Sequence, residues 1–180
     1  LLEHPRAWTR LLHPRPVVLV VSLIDEKKAN VMAASWVTPV SVNPPLVAVC
    51  ITKRRYTYTL IKKNNEFTIN VPPLDMVRKV HYTGVHSGRD VNKIQKCNLS
   101  LVPAKKVSTP IIKECIAALE CLLEAEYPAG DHNILLGRVI AAHVKEELFE
   151  NNMWKEDSNV LLHVGANVYS VPLNYTEVEV

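Results

Sequence analysis

A mainly β architecture, a barrel or sandwich carrying a few short helices, is the fold class predicted by this 180-residue sequence. Three observations predict it. Twelve prolines, from Pro5 to Pro172, leave few windows in which a long helix runs unbroken, which argues against a helical bundle. Several apolar, β-branched runs are bounded by turn residues at strand-like spacing. Two long alternating stretches flank Pro128-Ala129-Gly130-Asp131, a hairpin-type turn. With 48% hydrophobic residues there is ample material for a core, and no repeat or low-complexity stretch interrupts the chain, so a single domain over 1–180 is expected.

Residues 17–24 form an apolar run, interrupted only by Ser22, that reads as a buried strand, and 25–29 supply a polar turn. A second strand is predicted over about 30–41, with Pro39 marking a bend or an edge position. Asn43-Pro44-Pro45 is a turn, because each proline fixes its own φ and restricts the residue before it. Residues 46–51 are a third strand, wholly apolar. Tyr56, Thr59, Leu60 and Lys63 then recur at helical spacing, and Asn64-Asn65 is a plausible stop. Residues 66–71 return to strand character before Pro72-Pro73. A second helix is predicted over 74–85, with Met76, Val77 and Val80 on one face, and a third short one over about 90–96, the loop between them bracketed by Gly84 and Gly88. Residues 115–127 satisfy helix by propensity and strand by alternation; the turn that follows and the strand-like 133–145 favour a hairpin. Residues 160–164 and 168–171 close the chain as another hairpin, for about seven strands and two or three short helices.

Composition excludes several classes of function. Twenty-one Lys and Arg against 18 Asp and Glu give a formal net charge of +3, too little for a nucleic-acid-binding face. The run 17–24 is too short to span a membrane or to serve as a secretory signal, so a cytoplasmic protein is expected. Cys50, Cys97, Cys115 and Cys121 are widely spaced, which fits buried free thiols and no zinc site. The five glycines form none of the glycine-rich loops that cradle phosphates, so any nucleotide must be held in another way.

Three local features carry possible chemistry. Thr52-Lys53-Arg54-Arg55-Tyr56-Thr57 lies between a strand end and a helix start, where the macrodipole disfavours cations by ~0.3–1 kcal/mol each. Either an anion sits among Thr52, Lys53, Arg55 and Thr57, with free helical N–H groups as further donors, or the segment is a solvated basic turn. Ala33, Ala34 and Ser35 leave backbone accessible to a flat ligand beside Trp36 and Thr38; ordinary strand packing is the alternative. Gly130-Asp131-His132 places a titratable ring at a turn, either as a ligand contact or as a strand-edge histidine. No histidine has the neighbours of a nucleophilic triad.

Four stretches in one order resemble the flavin reductase-like family with the FMN-binding split-barrel fold, of the flavoredoxin type. They are Asn30 to Ser41 followed by Asn43 to Val49; Lys53-Arg54-Arg55-Tyr56-Thr57 with Ile61 and then Glu66 to Val71; Ser87-Gly88-Arg89-Asp90; and Gly130-Asp131-His132 ahead of Gly137-Arg138-Val139. The resemblance implies a mainly β, Greek-key-like split barrel and a homodimer that binds FMN non-covalently. It implies that Ala33, Ala34, Ser35, Trp36 and Thr38 line the isoalloxazine, that Thr52, Lys53, Arg55 and Thr57 hold the phosphate, and that Ser87, Gly88 and Arg89 close on the flavin from the same subunit or its partner. His132 is implied as a nicotinamide-side contact. The implied reaction takes hydride from NADH or NADPH, bound transiently, and delivers electrons to free flavin, a ferric chelate or a redox protein. Asn30, Met32 and Lys62-Lys63 depart from many relatives. A non-catalytic FMN-binding electron carrier and a cofactor-free binding module are the rival readings.

Overall fold

The computed structural model describes residues 7–176. Seven antiparallel strands form the main sheet: β1 Val18–Asp25, β2 Lys28–Ala34, β3 Val37–Ser41, β4 Leu46–Ile51, β5 Glu66–Val71, β6 Ala117–Ala129 and β7 His132–Val144. Their order is β2-β1-β5-β6-β7-β4-β3. The two strands at opposite ends of this order, β2 and β3, are consecutive in sequence and separated only by Ser35 and Trp36, so the sheet must curl until its ends meet. The expected strand over 30–41 is therefore two strands on opposite edges, and Pro39 lies on the edge strand β3, where its missing N–H costs no ladder bond.

The long hairpin of β6 and β7 follows the sequence expectation. Its strands have 13 residues each, and Gly130, at φ +63°, makes the tight reversal that pairs Ala129 with His132. Irregular register between Leu136 and Gly137 and between Val139 and Ala141 marks bulges, which add the coiling that closure requires.

The largely apolar character of 17–24 arises because both faces of β1 are buried. Val18 and Val20 point with Met32, Val49, Ile51, Phe67, Ile69 and Leu135 into the barrel interior. Leu19 and Val21 face a second core that includes Val31, Met76, Val80, Cys97, Leu99 and Leu161. This outer core is roofed by α2 Val77–Val85, which follows a 3₁₀ turn at Leu74–Met76, and by α3 Lys93–Lys96. Gly84 thus belongs to α2 and not to the following loop, and α3 starts later than expected because the Asn92 side chain accepts from Gln95 N–H as its N-cap. Helix α1, Tyr56–Asn64, ends as predicted, with Asn65 in the left-handed conformation and its N–H on Ile61 O.

Two further features frame the site. A 3₁₀ turn at Ala7–Leu12, not predicted from sequence, precedes a two-residue strand, Arg15–Pro16. That strand pairs with β8 Leu162–Gly165 of the closing hairpin, whose other arm is β9 Val168–Ser170. The N-terminal turn is thereby brought beside the barrel mouth.

Candidate functional site

A cleft of about 680 Å³ opens where the β2–β3 joint, the β4–α1 turn, the loop after α2, the β6–β7 hairpin tip and the N-terminal turn converge. Its size is that of a pocket for a cofactor-sized ligand.

One wall is basic. The turn from Thr52 to Arg55 is closed by Arg55 N–H donating to Thr52 O at 3.0 Å. Arg55 is the extended N-cap of α1, and its side chain makes no cap hydrogen bond, since a guanidinium has only donors. The first helical N–H groups are thus left for an acceptor from outside the chain. Arg54, Arg55 and Lys93 all line this wall, and none is ion-paired with a carboxylate among the described residues. Lys93 is only 4% exposed, and its Nζ donates to Thr83 O at 3.0 Å and His86 O at 3.2 Å. Burial, reinforced by Arg55, brings its pKa down to about 8. A buried ammonium held only by carbonyls is costly unless an anion lies near.

The loop after α2 closes over that wall within the same chain. Arg89 donates from Nη1 to Arg54 O at 3.1 Å and lies 4.9 Å from the Tyr56 ring centre, while its backbone N–H meets Ser87 Oγ. Gly88 is packed so closely that a Cβ there would collide with Asn30 Oδ1. Asn30 is buried and donates from Nδ2 to Thr57 Oγ1 at 2.8 Å, joining β2 to the start of α1, while its Oδ1 has no partner.

The other wall is aromatic. Trp36 leaves the barrel at the β2–β3 joint, held by Cys50 N–H donating to Trp36 O at 2.9 Å. Its ring stacks on His132 with centres 4.6 Å apart and 24° between planes. Arg15 approaches the Trp36 ring to 5.8 Å. Asp131 Oδ1 accepts from His132 Nδ1 at 2.7 Å, which orients the imidazole and directs Nε2 away from the pair.

Of the residues singled out from sequence, Ser35, Trp36, Thr52, Arg55, Thr57, Ser87, Gly88, Arg89 and His132 are brought together around the cleft. Ala33, Ala34, Thr38 and Lys53 are not among its lining residues. Alternation along β2 sends Ala33 into the outer core opposite Gly84, and Ala34 against the barrel interior. Thr38 is exposed on the edge strand, and the Lys53 side chain points to solvent from the turn. Asn30, Met32, Arg54, Tyr56 and Asp131 lie in segments that the sequence singled out without assigning them a site role, and sequence reasoning missed His86, Lys93 and His163 and the N-terminal residues Trp8 to Arg10 and His13. An unusual buried Asn in an apolar strand was the one available signal.

A strand-to-helix turn rich in cations without ion-pair partners among the described residues adjoins an aromatic wall at the mouth of a curled barrel, a surface whose charge and shape suit a flat ligand carrying a phosphate. The described residues include no helix long and apolar enough to cross a membrane. Comparison with known proteins specifies the class. The family model described as "Flavin reductase like domain" matches residues 9–172, and the chain belongs to that family. It is 44% identical over 155 residues to an uncharacterised protein of Pyrococcus abyssi, covering 86% of this chain and 88% of the relative. Among solved structures it is similar to the FMN-binding protein from Thermus thermophilus with bound 1-cyclohex-2-enone (TM-score 0.90, 28% identity, 99% and 98% of the two chains). It is also similar to flavoredoxin from Methanosarcina acetivorans (TM-score 0.84, 30% identity, 93% and 89%). The fold is thus the mainly β split barrel of FMN-binding, flavoredoxin-type proteins.

Proposed function

We propose that the protein is an FMN-dependent oxidoreductase that takes hydride from NADH or NADPH and passes electrons to a small-molecule or protein acceptor. The observation that carries this reading is the single cleft in which uncompensated cations at a helix start adjoin the Trp36–His132 stack. The residues present fit FMN. Arg54, Arg55, Lys93, Thr52 and Thr57 match a phosphate monoester, which wants charged donors and hydroxyls. Gly88, having no side chain, lets the covering loop pack onto buried Asn30, which in turn fixes the Thr57 hydroxyl at the start of α1.

When bound, FMN supplies the redox chemistry, accepting a hydride and releasing electrons onward. The chain's own residues bind and orient. The α1 N-terminus and its cations fix the phosphate end. Trp36, Ser35 and Met32 form the surface against which a ring lies, and Arg89 holds the covering loop in place. His132, oriented by Asp131, presents Nε2 where a nicotinamide carboxamide or a ring atom can meet it.

Purified protein is expected to be yellow or to quench FMN fluorescence on titration, and the bound flavin to bleach when NADH or NADPH is mixed in under anaerobic stopped flow. A flavin that binds but stays oxidised with both donors identifies an electron carrier instead, the reading favoured by the likeness to a flavoredoxin. Absence of FMN binding overturns both. Replacing His132 with Ala should lower donor-dependent turnover at least about tenfold while flavin is retained; equal loss of retention and turnover would make the histidine structural. A homodimer is part of the proposal, supported by Leu11 and Leu12, exposed apolar side chains on the Ala7–Leu12 turn that frames the cleft.

A further inference from the structure

We propose that Glu126, which is not among the residues lining the cleft, is a positioning residue for His132: it ties the last rung of the β4–β7 ladder to α1, so that the hairpin tip and the cation-rich turn meet one ligand at a fixed spacing. This rests on the reading of the cleft as one that grips its ligand from both walls, with His132 at the ring end.

Glu126 stands near the end of β6, opposite Leu135 of β7, whose side chain belongs to the barrel interior. Its side chain is 15% exposed, and both carboxylate oxygens are occupied. Oε1 accepts from the Tyr58 hydroxyl at 2.6 Å and from Asn133 Nδ2, and Oε2 accepts from Lys62 Nζ at 2.7 Å. Tyr58 and Lys62 are four residues apart and so share one face of α1. Asn133, buried on β7, also reaches the Tyr58 hydroxyl, at 3.4 Å. One carboxylate therefore joins α1, β6 and β7. The Lys62 ammonium and then the Tyr58 hydroxyl outweigh burial and bring its pKa down to about 2, which keeps it charged near neutral pH.

An ion pair taken largely out of water adds little net stability, because desolvation offsets the attraction. What this one supplies is geometry. The pairing of β7 with β4 runs from Arg138 and Leu46 to Asn133 and Ile51, and ends there. Beyond Asn133, the tip that carries Asp131 and His132 is paired only with its own hairpin mate. Successive strand residues face opposite ways, so Asn133 turns toward Glu126 and Tyr58 while His132 turns into the cleft, onto Trp36. Ile51, on the same rung, leads directly into Thr52 and the basic turn. Holding the Asn133 side chain thus fixes the point from which His132 departs, and fixes it against the helix whose start forms the basic wall. That start has separate holds, Arg55 N–H on Thr52 O and Asn30 Nδ2 on Thr57 Oγ1, so loss of the Glu126 carboxylate moves the tip more than the turn. A misplacement of about 1 Å can cost a hundredfold in a transfer that needs close alignment.

The test uses Glu126→Gln, which keeps the volume and removes the charge, and Tyr58→Phe, which removes one donor and is the milder change should the first fail to fold. Anaerobic stopped flow with NADH or NADPH should show reduction of bound FMN slowed about tenfold in Glu126→Gln, with the FMN Kd within about threefold of wild type. In a His132→Ala background the same substitution should slow reduction by less than about twofold, because Glu126 acts through that residue. Full additivity of the two changes overturns the proposal, as do unchanged reduction and a parallel loss of FMN affinity. A readout without flavin comes from the Trp36 ring stacked on His132, whose ring current displaces the imidazole proton signals. In proton NMR those His132 signals should move in both variants while those of His163, on the closing hairpin, stay in place. Unmoved His132 signals overturn the positioning role. Should the wild-type protein bind no FMN, the proposed function fails, and the His132 signals still decide whether Glu126 positions the tip.

Discussion

Arg55 and Gly88 show how single positions set the site. Removing the Arg55 guanidinium takes away a charge-assisted donor at the start of α1 without disturbing a folded contact, because its side chain makes no cap bond. Arg55→Ala should weaken FMN binding by about 1–3 kcal/mol, roughly 5- to 150-fold, with an unchanged melting temperature; equal affinity would place the phosphate elsewhere. Gly88→Ala acts through geometry, since the new methyl must displace the Asn30 side chain, which in turn holds Thr57. Both stability and flavin affinity should fall, the former by about 1–3 kcal/mol, as for other overpacking changes, measured by thermal melting and FMN titration. The basic turn was legible in the sequence because its charges are adjacent and sit at a strand–helix boundary. Lys93 and Asn30 were not, since each reaches the cleft only through long-range packing: Lys93 beneath the Ser87–Arg89 loop, Asn30 across to α1.

Two carboxylates hold the segment between the short strands Leu101–Val102 and Ile111–Ile112 onto the barrel. Fully buried Glu120 of β6 accepts from the N–H groups of Lys105, Lys106 and Val107, with His143 Nε2 2.5 Å from Oε1. Glu66 of β5 accepts from Ser108 N, Thr109 N and Thr109 Oγ1. Burial works against the Glu120 charge, but the Lys105 N–H, His143 and the Lys106 and Val107 N–H groups outweigh it, and its carboxyl stays below the ordinary range. Because the folded pKa is depressed, the stabilisation is complete above the unfolded value of about 4.3 and is lost as pH falls through the folded one. Glu120→Gln should cost about 2–4 kcal/mol at pH 7 and flatten the acid limb of a melting-temperature profile between pH 2.5 and 6; a parallel profile would show that other groups govern acid unfolding. At this scale the sequence was most readable: β4, α1 and β5 follow the predicted bounds, since apolar alternation and an Asn stop are local signals. The Ala7–Leu12 turn carried no such signal because nothing in it is buried.

The molecule as a whole is nearly neutral, at +3, yet its cleft concentrates five Arg and Lys side chains. Binding of anionic ligands should therefore weaken with salt more than the small net charge suggests, the FMN Kd rising several-fold between 50 and 500 mM NaCl, whereas apolar stacking on Trp36 is little screened; a salt-independent Kd would argue that the cations do not touch the ligand. Sedimentation velocity tests the proposed dimer. The joint at Ser35–Trp36 has a further consequence. The two edge strands are the unpaired ends of the sheet, and they are tied to each other by only two residues, so that neither can swing far from the other. The segment that carries the aromatic wall of the cleft thereby also sets how far apart the two edges can stand: lengthening the joint would let them separate and slacken the wall in one stroke.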